Sequence, residues 1–155
     1  MDSFEIHKYN HIDINNLQVS EFNVKYNNEE FLIQSPIFND YELLNYNSKK
    51  YIELKLDNSK FSHLKFLTFI DSLELKLNNY SNNKSIKTQI ITNIQNKKSL
   101  KVKLQDNTTY FDSNKNEVDS LYTKKISVLF KLEFYKLEFY KIYCSWTAVQ
   151  ILQLN

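Results

Sequence analysis

The residue types that could carry catalysis are few in this sequence, and their spacing is poor. His7 and His11 lie four positions apart, which suits a metal pair on one helix face, but "HKYNHIDI" supplies no third ligand. We interpret them as solvated histidines. Cys144 is the single cysteine, and a nucleophilic thiol needs a positioned histidine. It alternates with apolar residues in "KIYCSWTAV", which favours a buried, inert thiol.

Carboxylates and glycine-dependent motifs offer no better active site. Glu29, Glu30, Asp71 and Glu74 carry carboxyl groups, but their spacing singles out no acid–base pair. The sequence contains no glycine, so a P-loop, a dinucleotide fingerprint and a nucleophile elbow are all excluded. We therefore predict a protein that is not an enzyme and that uses no cofactor and no metal.

Lysines interleaved with aromatic residues are the remaining pattern that could have a function. All 20 basic residues are lysines, and aromatic residues make up 15% of the chain. Ammonium groups contact phosphates while flat rings stack on bases, which is the combination that binds single-stranded DNA without sequence preference. An AT-biased genome also enriches Lys and Tyr codons, and the net charge of +2 is small. Composition alone therefore leaves nucleic-acid binding open.

The chain has the size and composition of one globular domain. Its 155 residues and 42% hydrophobic content can bury a core, so we predict a single domain over 1–155, with the first dozen residues as a flexible or edge segment. A lone cysteine favours a reducing compartment. The sequence shows no signal peptide and no apolar span, so we expect a cytoplasmic protein that does not enter a membrane.

Hydrophobic periodicity predicts several strands and one helix. Strands are expected in "NLQVSEFNVKY", "FLIQSP", "KKYIELKLD" and "SLKVKLQ", with "NNEE" and "FDSNKNEVD" as turns. "SIKTQIITNIQ" fits both periods, and its Ile and Thr residues favour a strand. In "SLKVKLQ", Lys101 and Lys103 point away from the core. A helix is capped by Asn58 or Ser59, and its apolar positions are Phe61, Leu64, Leu67, Ile70, Leu73 and Leu77. His63 lies between these positions and is expected at the surface or partly packed.

The doubled "KLEFY" near the C-terminus predicts a hairpin rather than a structural repeat. Five is an odd number, so the two copies would place their apolar residues on opposite faces of one strand. We expect the reversal near residues 137–140, with Leu137, Phe139 and Tyr140 packed onto the fold or displayed for a ligand. In the returning strand, one face holds Ile142, Cys144, Trp146, Ala148 and Leu152, interrupted by Gln150. The fold class is mainly β with one main helix, and the strand spacing favours a small barrel or a sandwich over a βαβ arrangement.

"KIYCSWTAVQI" resembles the C-terminal strand of the phage-type single-stranded DNA-binding proteins of nucleocytoplasmic large DNA viruses. "FLIQSPIF" is similar to that family's strand ending in Ile-Gln-Thr/Ser-Pro, carried here by residues 33–36. The resemblance implies an OB-fold-like small barrel that coats single-stranded DNA during replication, in a virus or a related cytoplasmic linear plasmid. The chain ends "ILQLN" without the acidic tail of phage relatives, so we do not expect partner recruitment through such a tail.

Strand parity then predicts the residues that would contact DNA. The outward-facing candidates are Lys101, Lys103, Lys131, Tyr135, Lys141 and Tyr143. Trp146 is expected in the core. The sequence leaves open whether replication proteins bind this chain and whether it forms a homo-oligomer. The alternative hypothesis is a structural or interaction protein, in a virion or in a replication or transcription complex, that binds no nucleic acid.

Overall fold

The computed structural model describes residues 5–20, 23–80, 86–136 and 142–155. The strands are β1 (Glu5–Lys8), β2 (Leu17–Ser20), β3 (Asn23–Tyr26), β4 (Phe31–Gln34), β5 (Tyr41–Tyr46), β6 (Lys49–Lys55), β7 (Ile86–Lys87), β8 (Ile90–Thr92), β9 (Lys98–Leu104), β10 (Thr109–Phe111), β11 (Glu117–Val118), β12 (Ile126–Lys136) and β13 (Ile142–Gln153). Helix α1 spans Phe61–Tyr80. The prediction of a mainly β protein with one main helix is therefore confirmed. Within the described ranges, no helix has the length and apolar character needed to span a membrane.

Most strands belong to one open sheet. Its main path runs β1–β4–β12–β13–β9–β6–β5, with β7, β8, β10 and β11 attached along it, while β2 and β3 form a separate hairpin. β1 and β5 stand at the two ends of this path, and no pairing between described strands joins them. The sheet is not closed by hydrogen bonds into the small barrel that the sequence predicts.

Several sequence predictions match these elements, and one needs correction. "FLIQSP", "KKYIELKLD" and "SLKVKLQ" contain β4, β6 and β9, and "SIKTQIITNIQ" contains the short strands β7 and β8. "NLQVSEFNVKY" does not form one strand. It forms the antiparallel pair β2 and β3, whose connection at residues 21–22 lies outside the described ranges. β1 was not predicted as a strand, because its sequence "EIHK" is short and polar; it pairs in parallel with β4 at the sheet edge.

The hairpin predicted around the doubled pentapeptide is present as strands β12 and β13. They pair antiparallel from Lys136 with Ile142 at one end to Ile126 with Gln153 at the other. The predicted reversal falls between these paired ends, and residues 137–141 lie outside the described part of the chain. The expectation for the side chains of Leu137, Phe139 and Tyr140 therefore stays a prediction.

A β-bulge at Val149 interrupts this hairpin. Phe130 pairs with Ala148, but the preceding residue Leu129 pairs with Gln150, so β13 contains one extra residue between the two pairs. One extra residue reverses the inward and outward alternation of everything that follows it. The bulge therefore divides β13 into two segments of opposite phase.

The change of phase explains the irregular pattern at the C-terminal end of β13. Before the bulge, Trp146 and Ala148 are buried; after it, Ile151 and Gln153 are buried instead. The prediction that Leu152 shares the inward face is wrong for this reason. Gln153 is fully buried and its side-chain oxygen accepts hydrogen bonds from the backbone N–H groups of Tyr122 and Thr123, at 2.6 and 3.2 Å.

Two threonines at the start of β10, the strand beside β13, bond to the backbone at the bulge. The hydroxyl of Thr108 donates to the carbonyl oxygen of Ala148 at 2.7 Å, and that of Thr109 donates to the carbonyl oxygen of Val149 at 3.4 Å. A β-bulge disrupts the regular ladder locally, and an unpaired buried carbonyl is costly. The shorter Thr108 bond therefore contributes to stabilising the backbone at the bulge.

Helix α1 covers the inner face of the sheet with a stripe that differs from the predicted one in its first two turns. Phe61 and Leu64 were expected in the core, but they are 70% and 44% exposed. The first turns contain apolar residues on both sides, so periodicity alone could not choose between the two faces. The buried residues of the helix are His63, Phe66, Phe69, Ile70, Leu73 and Leu77.

His63 explains which face the helix buries. Its Nδ1 accepts a hydrogen bond from the backbone N–H of Asp57 at 2.8 Å, and its Nε2 lies 2.7 Å from the carbonyl oxygen of Ile37. Because Nδ1 accepts, the proton lies on Nε2, which donates to that carbonyl. The expectation that His63 is at the surface or partly packed is therefore wrong, because its side chain is buried. The predicted caps are wrong as well, because the helix begins at Phe61 and the preceding turn is closed by the Asp57 carboxylate, which accepts from the backbone N–H of Ser59.

Aromatic rings connect the helix to the central hairpin. Phe66 of α1 stacks on Phe130 of β12 with ring centroids 6.0 Å apart, and Phe130 meets Trp146 of β13 edge to face at 5.5 Å. All three side chains are almost completely buried. Trp146 is therefore a core residue, as the sequence predicts.

Turns in this glycine-free chain use other residues in the left-handed region. Positive φ angles occur at Asn27, Asn28, Asn47, Ser48, Asn96 and Lys115. Asparagine tolerates this region better than most residues with a side chain. Asn47 and Ser48 form the two-residue connection of the β5–β6 hairpin, the position where Asn-Gly is usual. In the predicted turn "FDSNKNEVD", the Asp112 carboxylate accepts from the backbone N–H groups of Asn114 and Asn116, each at 2.9 Å.

Candidate nucleic-acid interface

A row of lysines and an aromatic residue crosses the outer face of the sheet, the side away from helix α1. Lys131 of β12 pairs with Thr147 of β13, Thr147 pairs with Lys103 of β9, and Lys103 pairs with Tyr51 of β6. Directly paired residues point to the same side of a sheet. Their neighbours along each strand, such as Phe130, Trp146 and Val102, are buried on the inner face, so this row points to the outer face, where Thr147 itself is buried. We call Lys131, Thr147, Lys103 and Tyr51 the outer row.

Lys101 lies on the same face, one step along β9. Its Nζ is 4.2 Å from the ring centroid of Tyr51 and 5.6 Å from that of Tyr46. A cation over an aromatic face is attracted by the electron-rich ring. The two tyrosine rings meet edge to face at 6.4 Å, and Tyr46 is 59% exposed. The structure therefore forms a cluster of two rings and one cation beside the outer row.

Tyr46 and Tyr51 are site residues that sequence reasoning missed. Tyr51 lies in the strand predicted from "KKYIELKLD", but nothing in the sequence showed that β6 pairs with β9. Once that pairing is known, Tyr51 must stand beside Lys103. Tyr46 could not be found at all, because β5 was not predicted. The available signal was the aromatic and aliphatic content of "YELLNY" followed by Asn and Ser, which is a weak hairpin pattern.

Three of the predicted contact residues cannot be placed as side chains. The backbones of Tyr135 and Tyr143 pair directly across β12 and β13, and each lies six residues away from the bulge, at Leu129 and Val149 respectively. Their predicted outward orientation stays a prediction. Lys141 lies outside the described ranges. Of the six predicted residues, the structure thus brings together Lys101, Lys103 and Lys131.

Acidic residues lie beside the lysines on the β6 and β5 side of the outer face and reduce its positive charge there. Glu53 pairs with Lys101 on the outer face, and Glu42 pairs with Glu53. Glu42 is bound by Lys55 at 3.2 Å, and Glu53 accepts a 2.6 Å hydrogen bond from the hydroxyl of Ser99. These carboxylates are therefore partly occupied. Glu133 lies two residues beyond Lys131 on the same face of β12, so acidic and basic groups are interspersed here, in keeping with the small net charge of the chain.

The histidines that could have formed a metal pair do not share a helix. His7 lies on the edge strand β1, where it contacts Glu5 at 3.0 Å and packs edge to face on Tyr26 at 4.8 Å. His11 ends a short 3-10 turn at Tyr9–His11. Among the described residues, no three His, Cys, Asp or Glu side chains are grouped as metal ligands would be.

The thiol of Cys144 is buried at the inner face, as the sequence predicts. Burial raises the pKa of Cys144 well above its usual range, and the charge of nearby Glu74 adds to this effect. Burial also raises the pKa of Glu74, although a 2.8 Å hydrogen bond from Thr88 opposes the shift. A thiol that stays protonated is a poor nucleophile.

The raised pKa of Cys144 predicts a loss of stability at alkaline pH. In the unfolded chain the thiol ionises above about pH 8.5, whereas in the fold it stays neutral, so ionisation favours unfolding. Stability from this group is complete below that pH and falls by about 1.4 kcal/mol for each further pH unit. Between pH 8.5 and pH 10, the free energy of unfolding measured with urea should therefore fall by about 2 kcal/mol more in the wild type than in Cys144→Ala. Equal losses in both proteins would contradict this account, since their tyrosines titrate alike.

Comparison with known proteins identifies structures that share the fold of this chain. No protein-family model matches the chain, and no curated protein sequence matches it. Solved structures do match the chain. Gp2.5, a single-stranded DNA-binding protein encoded by bacteriophage T7, matches with a TM-score of 0.58 at 13% identity, over 80% of this chain and 86% of that one.

A second phage protein gives the same result. The single-stranded DNA-binding protein of bacteriophage Enc34 matches with a TM-score of 0.54 at 14% identity, over 88% of this chain and 86% of that one. Its complex with single-stranded DNA matches with a TM-score of 0.54 at 12% identity, over 89% and 92%. The chain therefore has the fold of phage single-stranded DNA-binding proteins.

Proposed function

We propose that this protein binds single-stranded DNA without sequence preference through the outer face of β12, β13, β9 and β6. The observation that carries the proposal is the outer row, in which Lys131 and Lys103 stand on the same face as Tyr51. Lysine beside exposed rings suits a flexible strand whose phosphates and bases are both accessible. The similarity of the fold to phage proteins that bind single-stranded DNA supports this reading.

In this proposal, Lys101, Lys103 and Lys131 contact phosphates, and Tyr46 and Tyr51 stack on bases. The paired backbone positions of Tyr135 and Tyr143 would extend the contact along the hairpin, with Lys141 beside them. The chain contains no arginine, so the bidentate contact that most often identifies guanine is absent from its repertoire. Sequence preference is therefore not expected.

The biological setting is part of the same proposal. We propose that the protein protects replication intermediates of a viral or linear-plasmid replicon in the cytoplasm, where replication proteins would be its partners. The support is the phage-type fold together with the Lys-, Asn- and Tyr-rich composition typical of AT-rich genomes.

Anisotropy of a labelled oligo(dT) of about 20 nucleotides tests the proposal, since an OB-fold occupies about 4–16 nucleotides. The label should be on the DNA, because the only tryptophan is 1% exposed and its emission would respond weakly to a surface ligand. We expect saturable binding at 50 mM salt, weaker binding to a duplex of equal length, and weakening at 200 mM salt. Absence of binding to oligo(dT) at 50 mM would overturn the proposal.

One observation supports the alternative of an interaction protein. The outer side of α1 displays Phe61, Leu64 and Leu75, of which Phe61 and Leu75 are 70% and 61% exposed. Exposed apolar side chains on one side of a helix are typical of protein-contact surfaces. If the protein bound no DNA, this helix surface would be its most plausible contact site, and substitutions there would then be the next experiment.

A further inference from the structure

We infer that a groove beside the Val149 bulge holds one unpaired nucleobase of the bound strand. This inference rests on the proposed function and adds to it a site for a single base. The groove lies on the outer face and has a volume of about 300 Å³. That volume is at the lower end of the range for small-ligand sites, which suits one planar ring rather than a larger ligand.

Strand pairing builds the groove from three neighbouring strands. Leu129 of β12 pairs with Gln34 of β4 on one side and with Gln150 of β13 on the other. Neighbouring strands are about 4.8 Å apart, so the two glutamines are about 10 Å apart across an apolar floor. The bulge is essential here, because it turns Gln150 to the same face as Leu129.

The two glutamine amides can recognise a base edge. Both residues line the groove, and among the described residues neither side chain has a hydrogen-bond partner in the protein. Gln153, by contrast, uses its amide entirely within the fold. Each free amide has a donor and an acceptor group that exchange places on rotation. Such a pair can satisfy different bases, in keeping with binding that ignores sequence.

An aromatic side chain and cations complete the site. Phe111 of β10 lines the groove beside Leu152, its pairing partner on β13, and offers a ring for stacking. Lys115, in the β10–β11 turn, also lines the groove and can contact a phosphate. Lys131 follows Leu129 by two residues on the same face, so the groove continues directly into the outer row. Acidic groups on this face include Glu117, which pairs with Phe111, and Glu133, two residues beyond Lys131 on β12.

Comparison of oligo(dT) with an abasic strand of the same length tests the groove, because the abasic strand keeps the phosphates and lacks the bases. Phe111→Ala should weaken oligo(dT) binding about tenfold, since stacking of one base contributes about 1–3 kcal/mol. The same variant should bind the abasic strand as the wild type does. The double variant Gln34→Leu with Gln150→Leu should also weaken only oligo(dT), by about fivefold or more. Phe61→Ala, an exposed ring on α1, is the matched control and should change neither affinity.

The possible outcomes separate the groove from the proposed function. Wild-type binding to oligo(dT) with unchanged affinity in both groove variants would overturn the groove and leave the function standing. Equal weakening for oligo(dT) and the abasic strand would also overturn it, since that pattern indicates a general structural effect. If Phe111→Ala proves unfolded by circular dichroism, the double glutamine variant decides, because its changes are at the surface and keep the side-chain size. Failure of the wild type to bind oligo(dT) at all would overturn both.

Discussion

Replacing Lys101, Lys103 and Lys131 together by glutamine should weaken oligo(dT) binding on the order of 100-fold at 50 mM salt. Each phosphate contact by a cation releases counterions from the strand, so the logarithm of affinity falls with the logarithm of salt concentration by about 0.7 per contact. Three lost contacts lower that slope by about 2. Between 50 and 200 mM salt, wild-type affinity should therefore fall about 20-fold more than that of the variant. Anisotropy titrations at four salt concentrations measure both slopes.

The control must change the charge equally at another surface. Lys60, Lys65 and Lys97 are exposed lysines near the start of α1 and in the β8–β9 turn, and their replacement by glutamine also removes three positive charges. If binding depends on the outer row, this control keeps most of the affinity and of the salt slope. Equal losses in the two triple variants would show that overall charge attracts the DNA, and the outer row would then lose its role.

Trp146→Ala should lower the free energy of unfolding by about 3–5 kcal/mol, the range for truncating a large buried aromatic side chain. The indole is 1% exposed and packs on Phe130 at 5.5 Å. Its N–H has no hydrogen-bond partner among the described residues, so the loss comes from apolar packing rather than from a broken polar contact. Small domains are stable by about 5–15 kcal/mol, so the variant would lose a large part of its stability. Urea unfolding measures the difference.

Thr147, the residue next to Trp146, provides a control substitution that should not lower the stability. Thr147 is also buried, and its hydroxyl likewise has no partner among the described residues. Thr147→Val keeps the shape and removes an unsatisfied polar group, so stability should stay equal or rise by up to about 1 kcal/mol. A loss of less than 1 kcal/mol in Trp146→Ala would show that the indole is not part of the core.

Much of the local structure follows from residues that are close in sequence. The alternation in "KKYIELKLD" and "SLKVKLQ" predicts β6 and β9 with the correct faces, since each pattern depends only on one buried side of a strand. The helix was predicted in position but not in orientation, because Phe61, Leu64 and Phe66 are apolar on different sides. Its orientation depends on His63 reaching Asp57 and Ile37, which is a tertiary contact.

The site could be predicted only in part, because it is assembled from strands distant in the sequence. The lysines were found by strand parity, but Tyr51 joins them only through the pairing of β6 with β9. The backbone at the Val149 bulge is bonded by Thr108 and Thr109, about forty residues earlier, which no local pattern of β13 reveals. The groove forms because the bulge turns Gln150 outward, so it could not be predicted from the sequence either.

The glycine-free turns also affect the unfolded chain. A typical protein has about 7% glycine, the residue with the most backbone freedom when unfolded, and this chain has none. Its unfolded ensemble therefore has lower conformational entropy, which favours folding by roughly 0.4–1 kcal/mol at each position that would otherwise be glycine. Against this stands the native-state cost of the left-handed conformation at residues such as Asn47 and Ser48. The absence of glycine thus stabilises the fold by lowering the entropy of the unfolded chain, and it destabilises the fold through backbone strain at a few turns.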